Sequence, residues 1–283
     1  MTDVDAARQR YVEAIEKRER ISSAALLRAL VGVPRERFLG PGPWRIRKDG
    51  GQPYRLTAGA DPVHLYDDVL VAIDARRRLD TGLPSLWAHF IDGLDIKGGA
   101  RVVQIGCGLG YYTAILAEIA GPKGAVLALE CDKRLAARAR ANLRDYRNVD
   151  VVRADACRRI EGRADVIIAH AGFSSPHPLW IKSLRPNGRL LLPLTGKDRE
   201  GTVIRITRHG RVFEAEAIRR IKIFPGQGRG TSALEVRVTD WWERALALGP
   251  LRFRSIEHGL PSDRKANSKS GREPLTSSGR RPG

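Results

Sequence analysis

A chain of 283 residues, 42% hydrophobic and 29% charged, has the length for one large domain with extensions and the apolar content for a sizeable core. No apolar run is long enough to span a bilayer, and the polar start Met1-Thr2-Asp3-Val4-Asp5 lacks the pattern of a signal peptide, so a cytoplasmic protein without a membrane partner is expected. The formal net charge of +18 favours acidic substrates; it leaves a nucleic acid open as a partner without favouring one, because the cations run through helices, loops and tail alike.

Residues 4–20 read as an amphipathic helix, with Val4, Ala7, Tyr11, Ala14 and Ile15 at helical spacing. Ser22 or Ser23 caps a second helix, Ala24 to Leu30, which Val33-Pro34 ends. Gly40 to Pro62 is rich in Gly and Pro and is expected to be mostly loop; Asp68 to Leu79 is expected to be helical or mixed. Pro84 or Ser85 opens a further helix, Leu86 to Leu94. From Gly98 short apolar runs alternate with helical ones. Strands are expected at Arg101–Ile105, Ala125–Glu130, Val149–Arg153, Ala164–Ala169 and Arg189–Pro193. Helices are expected at Tyr111–Ala120, Asp132–Arg144 and Pro178–Leu184, and a turn at Pro186-Asn187-Gly188. Such alternation predicts an α/β fold: a doubly wound, mostly parallel sheet with helices on both faces. Strands at Thr202–Thr207, Val212–Ala217 and Leu234–Val238 follow, the first two joined by a turn at His209-Gly210. The expected organisation is an N-terminal helical and loop extension covering the active site (1–95), a ligand-binding core (96–200), C-terminal strands (201–250) and a basic, disordered tail (251–283) with little to bury from about Ser262 onward.

The sharpest motif is Gly106-Cys107-Gly108-Leu109-Gly110, between a strand and a helix. Glycine there permits a tight turn and close approach of a ligand to the backbone, while the helix start offers free N–H groups. A dinucleotide fingerprint requires G-x-G-x-x-G. Here the third glycine comes one residue early, which argues against a pyrophosphate cradle and suits S-adenosylmethionine, a nucleoside without phosphate. Glu130, ending the next strand, is placed to accept hydrogen bonds from two ribose hydroxyls, and Asp155, with Ala156 beside it after the third strand, to accept one from the adenine amino group. Read singly, each acid is equally a surface residue at a strand end. His170 and His177 lie near the same edge and read as packing or surface residues rather than bases. Cys107, Cys131 and Cys157 form no CxxC pair and read as thiols in a reducing compartment. The six His do not join them at zinc spacings, so no metal is expected.

Val103-Gln104-Ile105-Gly106-Cys107-Gly108-Leu109-Gly110-Tyr111-Tyr112-Thr113-Ala114 resembles the first motif of the protein-L-isoaspartate O-methyltransferase family. Asp165 to Gly172, Leu184 to Leu194 and the upstream Val33-Pro34-Arg35-Glu36-Arg37-Phe38 are similar to other signatures of that family, in the same order. The resemblance spans roughly residues 20–200 and implies a Rossmann-like class I methyltransferase, S-adenosylmethionine as donor and a protein or peptide carboxylate as acceptor. It implies Gly106, Cys107, Gly108, Leu109, Gly110, Glu130, Asp155 and Ala156 as cofactor-binding positions. Three departures stand out. The family carries Ser or Thr two residues before a Pro in its active-site loop, and alignment on Pro84 puts Gly82 there, leaving Thr81 and Ser85 as neighbouring hydroxyls and Thr81 as the catalytic candidate. The family's acid near the end of the first core strand is Gln104 here, and the substrate loop is longer and basic through Arg45, Arg47 and Lys48. Methylation of another acceptor, or cofactor binding without turnover, are the competing readings.

Overall fold

The computed structural model describes residues 2–49, 51–195, 200–223 and 233–263. Helix α1 (Asp3–Glu19) begins where Thr2 and Asp5 close a capping box and stops at Arg20, whose backbone is left-handed. Helix α2 (Ala24–Gly32) is capped by the Ser23 hydroxyl, which accepts from the Leu26 N–H at 3.2 Å, and ends at Val33, held extended ahead of Pro34. One turn, α3 (Glu36–Leu39), follows. The expected loop 40–62 carries two short strands, β1 (Arg45–Arg47) and β2 (Arg55–Leu56). The stretch 68–79 is not helical: β3 (Leu70–Asp74) turns back as β4 (Leu79–Asp80). These strands form a small antiparallel sheet in the order β2-β1-β3-β4. Val69 and Val71 bury completely against Trp44, Ile46 and Leu65, a setting in which β-branched side chains favour extended backbone.

Helix α4 (Pro84–Asp92) has Pro84 in its first turn and leads into the core. There the alternation is as expected: β5 (Arg101–Ile105), α5 (Tyr111–Ala120), β6 (Ala125–Glu130), α6 (Lys133–Asn142), β7 (Val149–Arg153), β8 (Ala164–Ala169), α7 (Pro178–Ser183) and β9 (Leu184–Thr195). Strands β10 (Glu200–His209) and β11 (Val212–Lys222) pair as a hairpin. With β12 (Leu251–Phe253), the central sheet among the described residues has eight strands in the order β12-β11-β10-β9-β8-β5-β6-β7, parallel from β9 to β7 and antiparallel beyond. Alternate residues bury on opposite faces. Val102, Val126, Val166 and Ile168 pack with α1, α2, α4 and α5, while Val103, Ile105, Leu127 and Ile167 pack with α7 and the last helix. The expected turn at Pro186-Asn187-Gly188 is a bulge in β9: pairing to β8 jumps from Leu184 to Arg189, with Asn187 at φ 61°.

Two expectations are corrected. Leu234–Val238 is not a strand but the first half of helix α8 (Ala233–Leu246). Its buried residues Val238, Trp242 and Leu246 recur every four positions. Nor does the tail begin at 251, because β12 (Leu251–Phe253), β13 (Ser255–Glu257) and β14 (Leu260–Ser262) are ordered. Phe253 stacks on Phe213 at 5.7 Å and is fully buried, which holds the segment on the sheet. The rest of the expected tail, 264–283, lies outside the described residues.

Candidate active site

Strand order reverses between β5 and β8, and at such a point the carboxyl ends of the strands leave a crevice. The glycine loop lies there. The Gly106 and Cys107 N–H groups both donate to the Leu129 carbonyl, at 2.8 and 3.3 Å, which ties the loop to the end of β6. Gly110 has φ 95°, and a Cβ on it would stand 2.7 Å from Leu143 Cδ1, so neither the backbone nor the space admits another residue. Asn142 Nδ2 donates to the Leu109 carbonyl at 2.9 Å and holds the far side of the loop. Cys107 is buried, and burial pushes its thiol pKa up, so it packs as a small neutral side chain.

Glu130 ends β6 nearly inaccessible to solvent. Its Oε2 accepts from the Gly108 N–H at 2.9 Å and its Oε1 from the Asp132 N–H at 3.0 Å. An ionised carboxylate offers roughly four acceptor directions, so capacity remains for a vicinal diol. Asp155 stands beyond β7, partly exposed, with Oδ1 accepting from the Cys157 N–H at 2.9 Å and Oδ2 3.6 Å from Arg158 Nε. Ala156 is buried, and its carbonyl accepts from Trp180 Nε1 at 2.9 Å. The loop and the two acids thus line the ends of the adjacent parallel strands β5, β6 and β7. A glycine turn without a phosphate cradle and a buried acid with acceptor capacity fit a nucleoside. Sequence reasoning missed Asp132 and Arg77. Asp132 caps α6 and meets Arg77 Nη1 at 2.7 Å, bringing the β3–β4 turn over this end of the sheet.

On the acceptor side, the hydroxyls anticipated from the sequence are occupied. Thr81 Oγ1 accepts from the Val71 N–H and donates to the Gly82 carbonyl, both at 3.2 Å, so Thr81 braces the β3–β4 hairpin. Ser85 Oγ donates to Asp68 Oδ2 at 2.6 Å. Gly82 has φ 76°, and a Cβ there would lie 2.1 Å from Trp87 Nε1. Asp80 accepts from Arg47 Nη2 at 2.5 Å, from the Tyr54 hydroxyl at 3.1 Å and from the Gly82 N–H at 3.1 Å, fixing the approach to that glycine. Arg47 and Asp80 are both buried as side chains, so the cation is matched within the small sheet.

His170 follows β8, and its N–H donates to the Ile105 carbonyl at 2.8 Å. Its ring stacks on Trp87 at 3.9 Å and lies near-parallel to Tyr112 at 5.1 Å. Gln104 Oε1 accepts from the Thr113 hydroxyl at 2.6 Å, which turns its amide nitrogen toward His170 Nδ1 at 3.2 Å. Loss of hydration pulls the imidazole pKa down to about 3, so the ring is neutral, accepting at Nδ1 and carrying its proton on Nε2. That Nε2 is shielded from solvent and has no partner. His177 is elsewhere, capping α7 by accepting from the Leu179 N–H. Sequence reasoning missed Trp87 and Tyr112; no spacing rule ties residue 82 to an indole that stacks on residue 170, and only the family departure at Gly82 pointed to this place.

The family model for protein-L-isoaspartate(D-aspartate) O-methyltransferase matches residues 59–225. A protein-L-isoaspartate O-methyltransferase of Aeropyrum pernix is 32% identical over 219 residues, covering 75% of this chain and 76% of that one. Its counterpart from Rhodopseudomonas palustris is 29% identical over 213 residues, covering 74% and 88%. Among solved structures, one titled protein-L-isoaspartate O-methyltransferase superposes with a TM-score of 0.68 at 22% identity, covering 81% of this chain and 68% of that one. A Plasmodium falciparum chain described as the same enzyme, in complex with S-adenosyl-L-homocysteine, gives 0.62 at 18%, covering 77% and 97%. The expected Rossmann-like class I fold is therefore present. The chain belongs to the protein-L-isoaspartate(D-aspartate) O-methyltransferase family and is an S-adenosylmethionine-dependent methyltransferase.

Proposed function

We propose that this enzyme esterifies a side-chain carboxylate in a protein or peptide, an isoaspartyl residue first among the acceptors, and that it does so in the cytoplasm as part of protein repair. The observation that carries the acceptor class is the membership of the family over more than half of the chain, joined to a net charge of +18 that attracts an acidic group. In this reading Gly106, Cys107, Gly108, Leu109 and Gly110 let the donor approach the main chain, Glu130 takes its ribose hydroxyls, and Asp155 and Ala156 receive its adenine. Bound S-adenosylmethionine supplies a methyl group already activated on a positively charged sulfur. The chain's task is therefore alignment and exclusion of water. A carboxylate nucleophile is ionised at neutral pH and needs no base, which agrees with a neutral His170 that has no proton affinity near pH 7. Trp87 and Tyr112, both buried, wall off the acceptor edge with apolar surface.

The test is transfer of labelled methyl from S-adenosylmethionine to an isoaspartyl peptide and to its L-aspartyl twin. A base-labile methyl ester on either peptide supports carboxyl methylation, and preference for the isoaspartyl form supports repair. Donor binding with no ester on either peptide would rule out the carboxylate reading. A second acceptor within the same class, an ordinary aspartyl carboxylate, is favoured by one observation: position 82 has no hydroxyl and no room for one.

A further inference from the structure

His170 is a buried-edge hydrogen-bond donor with nothing to donate to. Three independent facts converge on it. First, a chain of hydrogen bonds from Thr113 through Gln104 fixes the ring's protonation pattern: Gln104 Oε1 accepts from the hydroxyl, so Gln104 Nε2 donates to His170 Nδ1, and the ring proton stands on Nε2. Thr113 and Gln104 are themselves buried, so this chain does not compete with water. Second, Nε2 lies on the opposite edge of the ring from Gln104, shielded and without a partner. A buried donor left unmade costs free energy, and such orphans are rare unless a ligand or ordered water completes them. Third, the residue is placed at the reaction edge. It leaves β8 across the switch point from the glycine loop, and a Cβ on Gly106 would come within 3.9 Å of the His170 backbone. In the acceptor loop Gly82 has no hydroxyl and those of Thr81 and Ser85 are already engaged; the Tyr112 hydroxyl is buried and, like Nε2, has no partner among the described residues.

We propose that His170 is the acceptor-binding residue of this enzyme: its Nε2–H donates to the carboxylate oxygen that is not methylated and so turns the other oxygen toward the donor. Trp87 is the cover. Its indole lies flat on the imidazole at 3.9 Å and fills the space beside Gly82. The indole and the imidazole share this stack, so acceptor binding at Nε2 is registered at both residues. The glycine at 82 and the histidine at 170 then belong together: the first makes room for the indole, and the second supplies the donor that the first cannot. This inference rests on the carboxylate reading above.

The experiment compares the wild-type chain with His170→Phe and His170→Gln, using the isoaspartyl and L-aspartyl peptides. Phenylalanine keeps the stack and the volume but has no donor; glutamine restores an N–H at the ε position. Because a hydrogen bond to a charged group is at stake, His170→Phe is expected to lose on the order of 10- to 100-fold in kcat/KM for the preferred peptide. Its affinity for S-adenosylmethionine, measured by calorimetry, should stay within about twofold, and His170→Gln should recover part of the loss. A merely structural histidine would show the reverse, with phenylalanine tolerated better than glutamine. A second readout needs no turnover. In 15N-labelled protein saturated with S-adenosylhomocysteine, the peptide should shift the His170 Nε2–H and Trp87 Nε1–H resonances, assigned with His170→Phe and Trp87→Phe. Unchanged kcat/KM in His170→Phe, with the wild type active, overturns the role of His170 alone. A wild type that binds and methylates neither peptide removes the carboxylate reading and this inference with it.

Discussion

At the scale of single residues, Gly82 shows how one substitution alters a site's chemistry. A side chain there meets two penalties: a left-handed backbone, about 1–2 kcal/mol for an L-residue, and collision with the Trp87 indole, about 1–3 kcal/mol for overpacking. Gly82→Ser is therefore expected to destabilise the protein by about 2–5 kcal/mol in urea unfolding, and Trp87→Ala in the same chain should relieve the steric part. Additive losses in the double variant would show that the ring and position 82 do not compete. His170 carries a pH dependence of determinable sign. Its folded pKa, about 3, lies below the ordinary value of 6.5, so the unfolded chain binds the proton more readily. The stability associated with the neutral ring is complete above pH 6.5 and declines as pH falls toward 3. Unfolding curves of His170→Phe should lack that segment of the slope, and a wild-type-like slope in the variant would assign it to other groups. Glu130→Gln keeps the shape of the side chain but removes its charge and one acceptor from the pair facing Gly108 and Asp132; a weakening of donor binding by roughly tenfold or more is expected by calorimetry. Of these residues, Glu130 was legible from its place at a strand end. Gly82 was legible only as a departure, because nothing in the spacing of residues 82, 87 and 170 indicates that an indole and an imidazole stack between them.

At the scale of elements, the parallel core was legible because its strands are short apolar runs bounded by turn residues, with a helical run between each successive pair except β7 and β8. The failures have a common origin in patterns that fit two periods. Leu234, Val236 and Val238 alternate with Glu235 and Arg237, which is the signature of a half-buried strand, yet burial at Val238, Trp242 and Leu246 obeys the helical repeat. The decisive contacts lay outside the five-residue window: Thr239 Oγ1 donates to the Ser174 carbonyl at 3.0 Å and Trp242 Nε1 to the Gly259 carbonyl at 2.8 Å. In β3 the same tertiary override runs the other way. Helix α6 offers a direct test of how an element end serves the site. Asp132 accepts from the Arg134 and Leu135 N–H groups at 2.8 and 3.1 Å and meets Arg77. Burial opposes its charge, but the Arg77 contact and the two backbone donors outweigh this and hold its pKa below 3.8. Its contribution is thus present above pH 4 and is lost as pH falls through the lowered value. Asp132→Ala should cost about 0.5–2 kcal/mol at pH 7. The same substitution should cost nearly nothing once the wild-type carboxylate is protonated, and an equal loss at both pH values would point to a cause other than the cap.

At the scale of the whole molecule, the net charge of +18 is large for a chain whose described ion pairs mostly lie at the surface, where each contributes little to stability. Its consequence is a long-range field, which acts on encounter with an acidic acceptor and not on the fold. Screening separates this field from local contacts, since the Debye length shrinks from about 10 Å at 0.1 M salt to about 3 Å at 1 M. For a peptide with acidic flanks around the acceptor residue, kcat/KM is therefore expected to fall by roughly tenfold or more between 50 mM and 500 mM salt. For a peptide with neutral flanks the fall should be smaller. Affinity for S-adenosylmethionine should change little, because Glu130, its proposed ribose ligand, is buried and poorly screened. Equal salt dependence for the two peptides would mean that the charge has no part in choosing the acceptor, and the excess cations would then have to be explained by some other partner. A steep dependence confined to the acidic peptide would instead separate two tasks: capture by the field of the whole molecule, and orientation by the few buried groups at the end of β8.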